Sequence, residues 1–264
     1  MANDAQLQLL VSELQAARRI VAFTGAGVST DSGIPDYRGR GGQYERYQPV
    51  YFQEFLSREE KRLEYWTHKA TVWPAMHNAT PGPAHLLLAD LLRIGRLQGV
   101  ITQNIDGLHE KSGIAPEFIV NLHGTNLEVE CLGCGLRYDA GAVLDPLSAA
   151  VAHRPLTGAD VPVCEDCGGL LKPATVMFGQ SLSGGELARA EAFLAGCDFL
   201  LALGSTLTVQ PAATIPVVAR NNGARLGIIT RGETPLDHIA DVRIDGDLGP
   251  VARSLRKDLS ESGR

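Results

Sequence analysis

The sequence predicts an α/β fold, in which a Rossmann-like parallel sheet carries helices on both faces and a smaller domain is attached. An apolar segment, residues 20–23, runs directly into the small-residue turn Thr24-Gly25-Ala26-Gly27. In the C-terminal third, apolar strands alternate with amphipathic helices, which is typical of a doubly wound sheet. Two C-x-x-C motifs lie in a segment that lacks this alternation, and they predict the smaller domain.

The first half of the chain begins with a helix and a strand. Apolar residues recur at helical spacing over residues 4–18, so we expect an amphipathic helix before the first strand. Residues 40–80 differ, because Tyr and Trp are frequent there and the apolar pattern favours short helices. The elements predicted next are a helix over about 84–94 and strands over 100–102 and 118–122.

The α/β alternation returns after the cysteine-rich segment. Residues 199–203 are continuously apolar, as expected for a parallel strand that is buried on both faces. Residues 257–264 are polar and predict a solvated tail. The remaining predicted elements are helices over about 184–195 and 212–221 and a strand over 225–229.

Polar or glycine residues follow the carboxyl ends of five predicted strands. They are Gly25, Gln103, His123, Gly204 and Thr230. In open α/β sheets, ligands bind outside the carboxyl ends of the strands. We therefore expect these five positions to converge on one crevice.

The turn after the first strand predicts a nucleotide phosphate site. Small residues let backbone N–H groups approach a phosphate, with a helix N-terminus behind them. The dinucleotide pattern G-x-G-x-x-G nevertheless fails, because Thr30 occupies its third glycine position. The charged and aromatic cluster Asp36-Tyr37-Arg38 suggests a loop that folds over the ligand, and so chemistry on the nucleotide. A dehydrogenase is disfavoured, since we find no acidic residue at a second strand tip about 20 positions on.

Composition narrows the class of protein. Of the 264 residues, 44% are hydrophobic and 20% are charged, as in an ordinary globular enzyme. The net charge of −6 argues against broad binding of nucleic acid or of a membrane surface. We find neither an apolar run long enough to span a bilayer nor a signal-peptide pattern at the N-terminus. We therefore expect a cytoplasmic location.

Four of the five cysteines form two pairs, Cys131/Cys134 and Cys164/Cys167. Four thiolates at this spacing suit tetrahedral Zn²⁺ at about 2.3 Å per bond. Because four protein ligands leave no open coordination position, we expect one structural zinc in a zinc ribbon. A redox pair and ordinary buried cysteines are the alternatives. Cys197 fits better as a small core residue than as a nucleophile.

Each polar strand-tip residue also has a structural interpretation. Asn104 or Asp106 fits the start of a capped helix as well as a binding site. His123 is a candidate general base near neutral pH, although single histidines are often structural. Ser205 and Thr206 offer hydroxyl groups to phosphate or ribose, or form a simple turn.

Six segments then match a known family, in the family's order and over nearly the whole chain. The chain resembles the sirtuins, which are NAD-dependent protein lysine deacylases. Tyr65-Trp66, Trp73-Pro74 and the tyrosine of IPDYR further resemble the class II, sirtuin four-like branch. The six segments are GAGVSTDSGIPDYRG (25–39), TQNIDGLH (102–109), LHG (122–124), the cysteine quartet (131–167), KPATVMFGQ (172–180) and GSTL (204–207).

The resemblance implies two domains. The NAD-binding Rossmann-like domain would comprise residues 1–40, 81–126 and 172–264. The small domain would comprise residues 41–80, a helical segment, and 127–171, the zinc module. NAD and an acyl-lysine of a protein substrate would enter the cleft between them from opposite sides.

The resemblance also implies a mechanism and a set of site residues. The acyl oxygen would attack C1′ of the nicotinamide ribose and nicotinamide would leave. His123 would then act as general base, the acyl group would pass to ADP-ribose, and Asn104 would also be catalytic. The implied NAD contacts are Gly25, Ala26, Gly27, Thr30, Asp36, Tyr37, Arg38, Gln103, Asn104, Ile105, Asp106, Gly204, Ser205, Thr206, Thr230, Arg231, Gly232 and Leu248.

The sequence departs from the family pattern in a few places. Gln180 stands where the family has glutamate, and Thr230 stands where asparagine is usual. Class III members carry a Tyr-x-x-Arg pair that recognises acidic acyl groups, whereas Tyr65 is followed here by His68. A strong preference for succinyl-lysine is therefore not expected, and longer or neutral acyl groups remain open.

Two other functions use the same features. A mono-ADP-ribosyltransferase would use the same cleft and the same NAD contacts. A zinc-ribbon binding module without catalysis would use only the cysteines, and the net charge and the strand-tip residues count against it. For the deacylase we expect acyl-lysine proteins and NAD as partners, and neither membrane nor nucleic acid.

Overall fold

The computed structural model describes residues 4–36 and 47–262. The helices are α1 (Asp4–Ala16), α2 (Phe52–Ser57), α3 (Glu59–His77), α4 (Pro83–Arg93), α5 (Leu108–Lys111), α6 (Ala140–Val151), α7 (Gly184–Leu194), α8 (Ile215–Asn221) and α9 (Leu248–Ser262). The strands are β1 (Ile20–Thr24), β2 (Leu97–Thr102), β3 (Ile119–Asn121), β4 (Gly124–Cys131), β5 (Arg137–Asp139), β6 (Leu171–Thr175), β7 (Phe199–Leu203), β8 (Arg225–Thr230) and β9 (Val242–Asp245).

The main sheet has six parallel strands in the order β3-β2-β1-β7-β8-β9. This is the strand order of the Rossmann fold. All five residues of β7 are buried. Successive side chains point alternately into the two cores on opposite faces of the sheet. Phe199 and Leu201 join the core on one face of the sheet, while Leu200 and Ala202 join the core on the other. The predicted α/β class is confirmed.

A second, three-stranded antiparallel sheet has the order β5-β4-β6. It packs with α2, α3 and α6 around a third core that contains Phe55, Trp66, Trp73 and Leu144. Phe55, Trp66 and Trp73, from the aromatic region 40–80, are therefore packing residues of this smaller unit. The expected domain boundaries at 126/127 and 171/172 fall inside β4 and β6.

The prediction of a solvated tail from residue 257 is wrong, because α9 continues to Ser262. Its apolar positions Val251, Ala252 and Leu255 are buried in the core beside α1 and α4. Lys257 is exposed, while Leu259 packs against the core, as expected for an amphipathic helix. Within the part of the chain that the structure describes, no helix combines the length and apolarity needed to cross a membrane.

The switch point of the sheet lies between β1 and β7, which are neighbours in space but far apart in sequence. The turns that follow these strands pack closely: Gly27 N donates to Gly204 O at 2.8 Å. A Cβ on Gly27 would lie 2.7 Å from Gly204 Cα, so only glycine allows this approach. The two turns form one side of the crevice at the carboxyl end of the sheet.

Candidate active site

A cleft of 1020 Å³ opens at this end of the sheet. Residues from all five predicted strand tips line it, so their convergence is as expected. The implied NAD contacts that line the cleft, with His123, are Gly25, Ala26, Gly27, Thr30, Asp36, Gln103, Asn104, Ile105, Gly204, Ser205, Thr206, Thr230, Arg231 and Leu248.

Two of the implied contacts are placed differently, and two lie in a segment that the structure does not describe. Asp106 is buried and lies behind the cleft wall. Gly232 is not among the lining residues, and its N–H donates to Asp245 Oδ1 at 2.8 Å. Tyr37 and Arg38 lie outside the described residues.

A buried network fixes the side chain of Asn104 from below. Ser29 Oγ donates to Asp106 Oδ2 at 2.7 Å, and Asn104 Nδ2 donates to Ser29 Oγ at 3.1 Å. Asp106 Oδ1 in turn accepts from Leu108 N at 3.0 Å, which ties the carboxylate to the start of α5. Asp106 therefore acts through Ser29, not from the cleft surface.

The sequence analysis did not assign a role to Ser29. The sequence indicated a role for Ser29 only through its place in the segment 25–39. The direction in which a side chain points within a turn cannot be read from sequence. Ser29 lies in the short 3-10 helix Ala26–Ser32, and its side chain is buried. It connects the turn after β1 with the turn after β2.

We expect Ser29→Ala to raise the KM for NAD. The change leaves Asn104 Nδ2 and Asp106 Oδ2 without their buried partner, a loss of about 1–3 kcal/mol or roughly 5- to 150-fold in kcat/KM. Steady-state kinetics with varied NAD measures it. Ser12→Ala, on the exposed face of α1, is the control and should change nothing. An unchanged KM would show that the network does not position Asn104.

His123 follows β3 and precedes β4, half-buried in the cleft wall. Its Nδ1 lies 2.8 Å from the carbonyl oxygen of Gln103. Because a carbonyl oxygen only accepts, Nδ1 carries the proton and Nε2 keeps a free lone pair. Burial lowers the pKa of His123 below its ordinary 6.5, although the Gln103 carbonyl opposes this. The imidazole is therefore neutral near pH 7, as a general base must be.

Gly124 lets the His123 turn lie directly against β6. Val176 N donates to His123 O at 2.8 Å, and Gly124 pairs with Thr175. Gly124 has φ of 73°, and an added Cβ would overlap the carbonyl oxygen of Ala174. The glycine thereby joins the main sheet to the three-stranded sheet beside the candidate base.

The four paired cysteines form a second site away from the cleft. Their Sγ atoms all lie within 4.8 Å of one another. Across the two motifs, Cys131 Sγ lies 3.5 Å from Cys167 Sγ, and Cys134 Sγ lies 3.7 Å from Cys164 Sγ. Four sulfurs around Zn²⁺ at about 2.3 Å lie about 3.8 Å apart, so this cluster is ready for a tetrahedral ion. Cys131 and Cys164 are buried at the edge of the third core, so the four cysteines are positioned to bind one structural zinc.

Comparison with protein families decides the identity of this cleft. The model of the Sir2 family matches residues 25–211, which is more than half of the chain and includes both the cleft turns and the cysteines. This chain belongs to the Sir2 family.

Curated relatives and solved structures agree with this assignment. The chain is 42% identical to "NAD-dependent protein deacetylase 1" of Bradyrhizobium diazoefficiens, over 88% of each chain. It is 37% identical to the NAD-dependent protein deacetylase of Thermotoga maritima, over 93% of this chain and 95% of that one. A solved Sir2–p53 peptide–NAD⁺ structure is 36% identical with a TM-score of 0.81, and covers 97% of this chain and 98% of that chain.

The end of the cleft that adjoins the third core is apolar in this Sir2 protein. Val50, Tyr65, Met177 and Phe178 line it. Gln180, which stands where the family has glutamate, accepts from Met177 N through Oε1 at 2.9 Å. A carboxylate oxygen of glutamate can accept the same hydrogen bond from Met177 N. The glutamine therefore preserves the turn between Met177 and Gln180.

A half-buried lysine lies beside this apolar end. Lys69 Nζ donates to Asn126 Oδ1 at 3.2 Å and lies 5.4 Å from the centre of the Tyr65 ring. Burial, and the nearby charge of Lys172, lower the pKa of Lys69 to about 8. Lys69 was not among the residues singled out from the sequence.

Proposed function

We propose that this Sir2 protein is an NAD-dependent protein lysine deacylase, which transfers the acyl group to ADP-ribose and releases nicotinamide. The observation that carries the proposal is His123, whose Nε2 is free at the junction of two unlike halves of one cleft. One half is lined by the strand-tip turns and the other by apolar side chains. The curated relatives named as NAD-dependent protein deacetylases support the same activity.

The residues of the first half fit NAD. The tight turns at Gly25-Ala26-Gly27 and Gly204 leave room for a diphosphate close to the backbone, because no side chain stands between, while the N–H groups of the three glycines donate to backbone carbonyls and hold the turns in place. We assign the adenosine end to Thr230, Arg231 and Leu248, which line the far side of the cleft. NAD supplies the nicotinamide leaving group and a ribose hydroxyl as the acyl acceptor.

The residues around His123 handle orientation and the proton. Asn104, fixed by Ser29 and Asp106, orients the nicotinamide end. His123 Nε2 takes the proton of the ribose hydroxyl, and the Gln103 carbonyl stabilises the imidazolium that forms through Nδ1–H. One base is sufficient, because no side chain has to serve as leaving group or acceptor.

We expect activity to persist to lower pH than an ordinary histidine would allow. A general base works only when it is unprotonated. Because burial lowers the pKa of His123, most of the protein still has an unprotonated His123 at a pH somewhat below 6.5. The acid limb of kcat/KM against pH should therefore have its midpoint below 6.5. A midpoint above 6.5 would contradict the assignment of His123 in this environment.

The test of the function is NAD-dependent turnover of an acetyl-lysine peptide. We expect nicotinamide release that requires the peptide, with one deacetylated lysine for each nicotinamide. The ADP-ribosyltransferase is not favoured, since the relatives compared are named as deacetylases. NAD labelled in its adenosine half separates the two: label on a small acylated product means deacylation, and label on protein means transfer.

Three finer assignments are part of the proposal. The class II, sirtuin four-like placement depends on Tyr65-Trp66 and Trp73-Pro74, and parallel acyl-peptide profiling of this protein and a class II enzyme tests it. The division into an NAD-binding and a small domain is supported by the separate third core. The cytoplasmic location remains a prediction from sequence, which fractionation of the cell tests.

A further inference from the structure

The pairing of β4 with β6 is interrupted beside the candidate base. Two antiparallel pairs, Val129–Pro173 and Gly124–Thr175, lie on either side of a shift in register. Between these pairs β4 follows a longer path than β6. The ladder alone therefore does not fix the end of β6 against β4.

Lys172 spans this interruption from within β6. Its side chain is fully buried, and its Nζ donates to Pro173 O at 2.7 Å and to Thr175 O at 2.6 Å. The third acceptor is Glu130 Oε1, which lies 3.3 Å away on the paired residue of β4. An ammonium group has three N–H donors, so the protonated side chain meets three oxygen acceptors. These bonds offset much of the cost of burying the charge.

One peptide group connects this lysine with the candidate base. The Thr175 carbonyl that accepts from Lys172 and the N–H of Val176 belong to the same peptide group. That N–H donates to His123 O at 2.8 Å. Because a peptide group is planar and stiff, the ammonium holds it at one end and the His123 carbonyl at the other. A shift at the lysine is therefore transmitted to the His123 turn.

The same segment forms part of the cleft wall. Thr175, Val176 and Met177 line the cleft, as does His123. The imidazole itself is held separately, through the contact of Nδ1 with the Gln103 carbonyl. Two anchors therefore place the base, because Gln103 holds the ring and the Thr175–Val176 peptide group holds the backbone that carries it.

We propose that Lys172 is a positioning residue for His123, which acts through the Thr175–Val176 peptide group on the backbone of the base. Lys172 is fully buried and is not among the residues that line the cleft. It sets where Nε2 lies relative to the ribose hydroxyl, and a misplacement of about 1 Å can cost about 10²-fold in rate. The inference rests on the proposed deacylase function and adds no chemical step to it.

The first test is Lys172→Met, which keeps the length of the side chain and removes its donors. We expect kcat for an acetyl-lysine peptide to fall about tenfold or more. The Kd for NAD in calorimetry should change less than about twofold, since the turns assigned to the diphosphate follow β1 and β7. The assay runs well below the thermal midpoint of the variant, with its zinc content measured. Lys257→Met, at an exposed position of α9, is the matched control and should change neither value.

A double variant separates positioning from stability. Lys172→Met with Glu130→Met replaces both partners of the ion pair by apolar side chains, which is often neutral for stability, whereas loss of one partner is not. We expect the double variant to fold with its zinc and to keep the low kcat, because Pro173 O and Thr175 O still lack the ammonium. Recovery of the wild-type kcat in the double variant, or a wild-type kcat in folded Lys172→Met, overturns the proposal.

NMR titration of the histidines gives a readout that does not depend on turnover. Burial lowers the pKa of His123, so a turn that has lost its anchor should admit water and let this pKa rise toward 6.5 in Lys172→Met. An unchanged pKa would show that Lys172 does not hold the turn. If the wild-type protein releases no nicotinamide with the peptide, the deacylase function fails, and the titration alone decides the role of Lys172.

Discussion

Replacing His123 with alanine is expected to lower kcat for deacetylation by about 10²- to 10⁴-fold, the usual contribution of a positioned general base. The ring lies in the cleft wall, where Gln103 fixes its tautomer through Nδ1. Among the described residues that line the cleft, the other histidine is His68, whose ring stacks against Tyr47 at the apolar end. Peptide deacetylation followed by chromatography measures the loss.

Two controls separate this effect from a loss of folding. The His123→Ala protein should bind NAD in calorimetry with little change, because His123 lies outside the turns Gly25-Ala26-Gly27 and Gly204 to which we assign the diphosphate. His153→Ala, at an exposed position after α6, should keep full activity. Full activity of His123→Ala on every acyl peptide would mean that another group is the base.

Removal of the zinc is expected to have the largest effect on stability. Structural zinc contributes about 10–16 kcal/mol of apparent binding free energy in small zinc domains. Cys131 and Cys164 are buried in the core that also contains Trp66 and Leu144, so an unliganded quartet destabilises the whole smaller unit. We expect Cys131→Ser to lose bound zinc, to lower the thermal midpoint by about 10 °C or more, and to abolish activity.

Cys197 provides the matched control for this experiment. It is buried in the core of the main sheet, away from the quartet, and burial raises the pKa of its thiol to about 11. Cys197→Ala should keep one equivalent of zinc and most of the activity. A zinc-free Cys131→Ser protein with an unchanged midpoint would show that the metal is not structural.

Elements with strong local patterns were predicted well. The strand over 199–203 is exact, and the helix over 184–195 ends one residue earlier, at Leu194. Elements that depend on tertiary packing were missed. The predictions contain neither β9, which exists through its pairing with β8, nor α6, whose apolar face is defined by its contact with α3.

The sequence by itself determined the fold class, the convergence of the strand tips and the zinc ligands. Each of these depends on residue types at fixed local spacing: continuous apolar runs, small residues after a strand, and paired thiols. Only the tertiary structure placed Ser29 under Asn104 and put Tyr47 against His68. These contacts join residues that are far apart in the chain, and side-chain direction in a turn or on a helix face follows from packing against those distant partners.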